Sequence, residues 1–186
     1  MLEKTLNQKG QEEAPFELLV AVIIMGFVIF IGLQAMVKLN EERCYNETDA
    51  SLEGLKKSVQ IIANQGIPQS VSFHLATCYN PEEEKIWLKE YNDPNLCADY
   101  CGAQKNLCIL LQYFYSGENS FAIRKCVEIS PDTVFPSAAA RCPNREEEGY
   151  ELIDFKEAIP RGNYQLRSRT DPTSIFPTVC AYRQKE

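Results

Sequence analysis

The chain has 186 residues, 45% of them hydrophobic and 24% charged. That usage leaves room for one globular domain plus an appendage and excludes a disordered, collagenous or low-complexity chain. Nineteen Lys and Arg against 26 Asp and Glu give a net charge of −7 and a pI near 4.9, the wrong sign for a chain that neutralises phosphates, so nucleic acid is not an expected partner.

The chain opens with a short polar stretch, MLEKTLNQKG, followed by Gln11 and an acidic segment. From Leu18 to Val37 it reads LLVAVIIMGFVIFIGLQAMV, twenty residues without a charge and with Gln34 as the sole polar side chain. At 1.5 Å rise per residue this run is about 30 Å long, the thickness of the hydrocarbon core of a bilayer, and it is read as a transmembrane helix. Two rivals are weaker. A buried core helix is seldom apolar on every face over such a length, and a cleaved secretory signal has a greasy core of roughly 7–15 residues, with only Gly32 to Ala35 resembling its cleavage site here.

Flanking charge does not orient the span, because Lys4 and Lys9 precede it while Lys38 and Arg43 follow. Cysteine does. All eight, Cys44, Cys78, Cys97, Cys101, Cys108, Cys126, Cys142 and Cys180, lie after the span. An even count on one side of a membrane points to an oxidising compartment and to disulfides. The expected topology is a single pass through the cell membrane, N-terminus cytoplasmic and C-terminal domain outside. Asn46-Glu47-Thr48, just beyond the span, is a glycosylation triplet on that outer side, with Asn46 the candidate acceptor.

Lys9-Gly10-Gln11 precedes the apolar run, whereas the processing site of an ordinary signal peptide follows it. This order resembles the class III signal of type IV pilin-like proteins, especially the archaeal kind, in which a prepilin peptidase cuts after a glycine preceded by a basic residue. The resemblance covers about the first forty residues. It implies a leader over residues 1–10, with Lys9 and Gly10 ending it and Gln11 as the new N-terminus. It further implies that the apolar helix stays attached and packs against copies of itself or other pilin-like subunits, in a surface filament or a secretion-type pseudopilus. One departure stands out: many family members carry glutamate five residues into the mature chain, where this sequence has Pro15. Glu17, abutting the apolar run, is nominated for that assembly role; the alternative is that it sits at the lipid headgroups. Pro15 suits the first turn of a helix, where its missing N–H is not needed.

Leu52, Leu55, Val59 and Ile62 recur at helical spacing, with Glu53, Lys56, Lys57 and Gln60 opposite, and Gly66 and Pro68 supply a stop. Asn46 to Asp49 offer capping side chains, so a break near Cys44 is expected. The divisions expected are therefore a leader at 1–10, a transmembrane helix at 11–37, a membrane-proximal amphipathic helix at 38–67, and a cysteine-rich β head at 68–186.

Past Pro68 the period becomes two. Val71, Phe73, Leu75 and Thr77 alternate with Ser72, His74, Ala76 and Cys78. Leu107–Tyr115 and Phe121–Ile129 flank a Gly-bearing five-residue connection and read as a hairpin. Weaker strands are Tyr150–Phe155, Tyr164–Ser168 and Thr178–Arg183, separated by turn signals. The fold class expected is α+β, a long N-terminal helix followed by a disulfide-rich antiparallel β head.

No enzyme chemistry is expected. The single histidine, His74, stands two residues from Ser72 on a strand, a frequent coincidence, and there is no nucleophile elbow, phosphate loop or zinc-protease motif. Cys97-x3-Cys101-x6-Cys108 lacks the paired C-x2-C spacing of zinc ribbons, so no metal and no cofactor is assigned. Glu82–Glu84 and Glu146–Glu148 read as solvated turns, and Tyr113, Phe114 and Tyr115 as sheet packing. The function expected is a pilin-like structural subunit displaying its head for contact with a ligand the sequence does not specify. The alternative is a single-span membrane protein that never polymerises and uses its extracellular domain for binding.

Overall fold

The structure is a computed structural model that describes residues 13–74, 85–102, 106–114, 122–136, 141–169 and 176–185. Two compact units divide the chain, the first ending at Arg43 and the second beginning at Cys44. Helix α1, Glu13–Gln65, supplies most of the first and opens the second. Pro15 falls in its first turn, and Gly66 ends it with a left-handed φ of 70°, its N–H bonded 3.1 Å from the Ile62 carbonyl. The expected break near Cys44 is absent. Cys44, Thr48, Leu52, Leu55, Val59 and Ile62 form one buried stripe at helical spacing, so burial of that face outweighs the local capping preference of Asn46 to Asp49.

The second unit is α+β, as its sequence implies, but its strands form two antiparallel sheets. The four-stranded sheet has the order β1 (Gln69–Phe73), β6 (Gly162–Arg169), β7 (Thr178–Gln184), β5 (Tyr150–Ile153); the three-stranded sheet has the order β2 (Lys85–Tyr91), β3 (Cys108–Phe114), β4 (Ala122–Val127). The hairpin read from sequence is β3–β4, in the register Leu110↔Cys126 and Gln112↔Arg124. Leu75 to Cys78, expected to continue the first strand, lie outside the described residues, as do Tyr115 and Glu82–Glu84.

One core serves both sheets. Leu52, Leu55, Val59 and Ile62 of α1 cluster with Ile86, Leu88, Leu111 and Tyr113 from one sheet and Phe73, Tyr164, Leu166 and Ala181 from the other. Each fully buried aliphatic side chain contributes about 1.5–3 kcal/mol. Backbone bonds join the sheets at their margins: Leu88 N donates to Phe155 O at 2.8 Å and Ile159 N to Ile86 O at 2.6 Å, covering the outer edge of β2. A parallel bridge pairs Val134 with Thr178.

Sequence reading missed helix α2, Pro94–Cys101, and strand β2. The start of α2 was nevertheless written in the chain. The Asp93 carboxylate accepts from the backbone N–H groups of Asn95 and Leu96, Pro94 fills the first turn, and Gly102 closes the helix in the left-handed region at φ 64°. Cys97 and Cys101, one turn apart, share a face of α2, and each is bonded to a strand: Cys97 to Cys108 on β3 and Cys101 to Cys126 on β4. Cys108 and Cys126 therefore stand on adjacent strands without pairing with each other. A third bridge, Cys142–Cys180, ties a loop to β7. Cys44 is buried and disulfide-bonded, while Cys78 lies outside the described residues.

The chain-entropy account ranks these bridges by loop length. Replacing Cys142 and Cys180 with Ala, which opens a 38-residue separation, is expected to cost about 4 kcal/mol. Replacing Cys97 and Cys108, separated by 11 residues, is expected to cost about 3 kcal/mol. Denaturant unfolding of the two double variants checks the order, and a larger loss for the shorter loop would contradict it.

Candidate functional site

Two surfaces carry chemistry that the core does not absorb. The first is the N-terminal part of α1. Its apolar window has a mean hydropathy of 2.8 and is 0% buried, so the helix is long and apolar enough to cross a membrane. Phe16, Val22, Ile23, Ile24, Met25 and Phe27 are all exposed, and at helical spacing they point in several directions around the helix. Exposure of this kind is unfavourable in water and favourable in hydrocarbon, where a helix satisfies its own backbone bonds. Glu17 is exposed at one end of the run and Lys38 at the other. Lys9, Gly10 and Gln11 lie outside the described residues.

The second surface is the outer face of β2–β3–β4. Side chains alternate across the strands, so Ile86, Leu88, Leu111 and Ile123 face α1 while Trp87, Leu110, Gln112 and Arg124 face outward. α2 covers the half of this face nearest Cys108, packing Cys97 against Leu110. Among the described residues no element covers the other half. Its floor is Gln112, a buried amide whose Oε1 accepts from Trp87 Nε1 at 2.8 Å and from Tyr91 OH at 2.6 Å. Trp87 stacks on Phe114 with ring centres 5.7 Å apart, and Phe114 is 43% exposed. Of the aromatic run expected to pack in the sheet, Tyr113 is buried in the core and Phe114 packs across the strands on Trp87 with part of its ring exposed.

Elsewhere the head is occupied by structural polar contacts. Ser72 Oγ donates to Asn163 Oδ1 at 2.6 Å, and His74 Nε2 lies 2.8 Å from Ser72 Oγ, on exposed residues. Arg145 lies between the rings of Tyr150 and Tyr182, bonds Gln165, and is ion-paired with Glu148. Glu146–Glu148, expected as a solvated turn, form one turn of 3-10 helix ending at Gly149. Tyr182 OH donates to the Pro143 carbonyl at 2.9 Å, and burial raises its pKa. Asn46 is exposed on α1, but Thr48 of the same triplet is buried.

The open half-face was not found from the sequence, because β2 was not assigned and the faces of β3 depend on a register. The available signal was the alternation Lys85, Trp87, Lys89 against Ile86, Leu88. No family model, no curated protein and no solved structure matches the chain.

The Arg145 hydrogen bond holds the Glu148 carboxyl below the usual carboxylate range. A depressed folded-state pKa means that the pair stabilises the head above the unfolded pKa, about 4.3 for glutamate, and that this contribution is lost as pH falls through the folded value. Glu148→Gln is therefore expected to lower stability near neutrality and to flatten the acid limb of the stability–pH curve, so that the two proteins converge at low pH. Thermal melts across that range check it, and parallel curves for the two proteins would contradict it.

Proposed function

We propose that the chain is a type IV pilin-like structural subunit of the archaeal kind, processed after Gly10, anchored by Leu18–Val37, and presenting its disulfide-bonded head outside the cell. The observation that carries this reading is the order of three features. A Lys9-Gly10-Gln11 site stands before an apolar run, that run is exposed on all sides in the structure, and the same helix continues into residues that form the core of a disulfide-bonded head. Cutting ahead of the apolar run leaves the anchor on the mature protein. The helix is then free to exchange lipid for copies of itself or for other pilin-like subunits through close van der Waals packing. Assembly and surface contact, not catalysis, are its work. Its partners are the membrane, a prepilin peptidase and those subunits.

A second reading is favoured by Pro15, which stands where the family's assembly glutamate is usual. In that reading the protein remains a single-span anchor whose head binds a ligand without polymerising. Glu17 distinguishes the two: as the substitute carboxylate it neutralises the terminal amine of a neighbouring subunit, and as an anchor residue it faces headgroups only.

Co-expression with a prepilin peptidase tests the proposal. The mature chain is expected to begin at Gln11 by intact mass and N-terminal sequencing, and Gly10→Val is expected to block the cut. A chain that still begins at Met1 or Leu2 would overturn the pilin-like reading and leave the membrane-anchored binding protein.

A further inference from the structure

The open half-face of β2–β3–β4 has a charge pattern that sets it apart from the rest of an acidic chain. Lys85 and Lys89 stand on β2 and Arg124 on β4, all three pointing outward with Trp87 and Phe114 between them. No Asp or Glu occurs at the outward positions of these strands. None of the three cations makes an ion pair among the described residues, whereas Lys125, on the opposite face of β4, is matched by Asp49 at 2.6 Å and Glu53 at 3.7 Å. Lys89 Nζ rests 4.3 Å from the Trp87 ring centre. Arg124 lies over Tyr100 and donates from Nη1 to the Tyr100 hydroxyl at 3.3 Å, while its buried Nε has no hydrogen-bond partner among the described residues.

We propose that this face binds an acidic polysaccharide, with a sugar ring laid on the Trp87–Phe114 pair and carboxylates of the same strand reaching Lys85 or Lys89 on one side and Arg124 on the other. The C–H face of a pyranose packs on flat aromatic surface as other apolar groups do, while its acidic substituents accept charge-assisted bonds from guanidinium and ammonium groups that face no carboxylate among the described residues. The dimensions agree: β2 and β4 are two strand spacings apart, about 10 Å, close to one disaccharide along an extended glycan. An acidic peptide fits less well. Peptides commonly dock by adding a strand to a free edge, and the edge of β2 already exchanges hydrogen bonds with Phe155 and Ile159. Nucleic acid is disfavoured by the net charge of −7. The inference deepens the reading of the head as a contact surface and rests on it only for the head being outside the cell, not on whether α1 assembles.

Trp87 is the only tryptophan of the chain, so its fluorescence reports this site alone. The full chain in nanodiscs of zwitterionic lipid is titrated with oligogalacturonate, with an uncharged maltooligosaccharide of equal length in parallel. A saturable change with the acidic sugar is expected, absent with the neutral one and weakened by salt. Arg124→Gln and Lys89→Gln are each expected to weaken binding about tenfold. The exposed Lys85→Gln guards against loss of fold, since it is expected to weaken binding with an unchanged circular dichroism spectrum. No saturable change, equal affinity for polyglutamate or single-stranded DNA, or charge variants that bind like the parent would each overturn the assignment. None of these outcomes bears on processing at Gly10, so the failure of one proposal is distinguishable from failure of the other.

Discussion

Four side chains on one face of a helix, Leu52, Leu55, Val59 and Ile62, hold the head together, because both sheets close on them. Both sheets share one core with that face. The three-stranded sheet offers Ile86, Leu88, Leu111 and Tyr113, and the four-stranded sheet offers Phe73, Tyr164, Leu166 and Ala181, all in the cluster that includes the helix face. This dependence explains why α1 stays helical through Asn46–Asp49 against their local preference. A break there would turn Thr48 and Cys44 out of the buried stripe and misdirect the residues that follow. It also means that the polypeptide entering the head is the one whose earlier residues are apolar on all faces.

A small head split between two sheets buries less per residue than a single large one, and covalent links offset that. Their placement is informative. Cys97 and Cys101 fasten a two-turn helix, too short to be stable alone, across the middle and edge strands of the smaller sheet. With α1 on one face and α2 on part of the other, all but the last residue of β3 is buried. The far half of the same face carries polar and aromatic side chains instead, and Gln112 is bonded to both Trp87 and Tyr91. Rings fixed in this way present a flat surface whose ordering cost is met by the fold rather than by binding.

Much of this was legible from residue patterns with a strong period. The apolar run, the stripe at 52–62, the stop at Gly66 and the β3–β4 hairpin all follow from local spacing that tertiary packing then reinforces. What local pattern missed was α2, whose eight residues include two cysteines and no apolar stripe, and β2, where Lys85, Trp87, Lys89 and Glu90 dilute the alternation. Disulfide connectivity was illegible for a different reason: Cys97–Cys108 and Cys101–Cys126 depend on a helix face and a strand register together. The division into two sheets was equally hidden, since both consist of short antiparallel strands and only the order β1-β6-β7-β5 separates them. The open aromatic face is a product of register, and so no motif announces it.

The central claim of the account is topological: the apolar part of α1 spans the cell membrane and the cysteine-bonded unit stands on the outer side. Labelling intact cells that express the protein with a membrane-impermeant amine reagent, followed by peptide mass spectrometry, tests this directly. Lys85, Lys89 and Lys185, all exposed in the structure, are predicted to be labelled before lysis to the same extent as after it. Labelling of those three lysines only after the cells are broken would put the head inside and contradict the account.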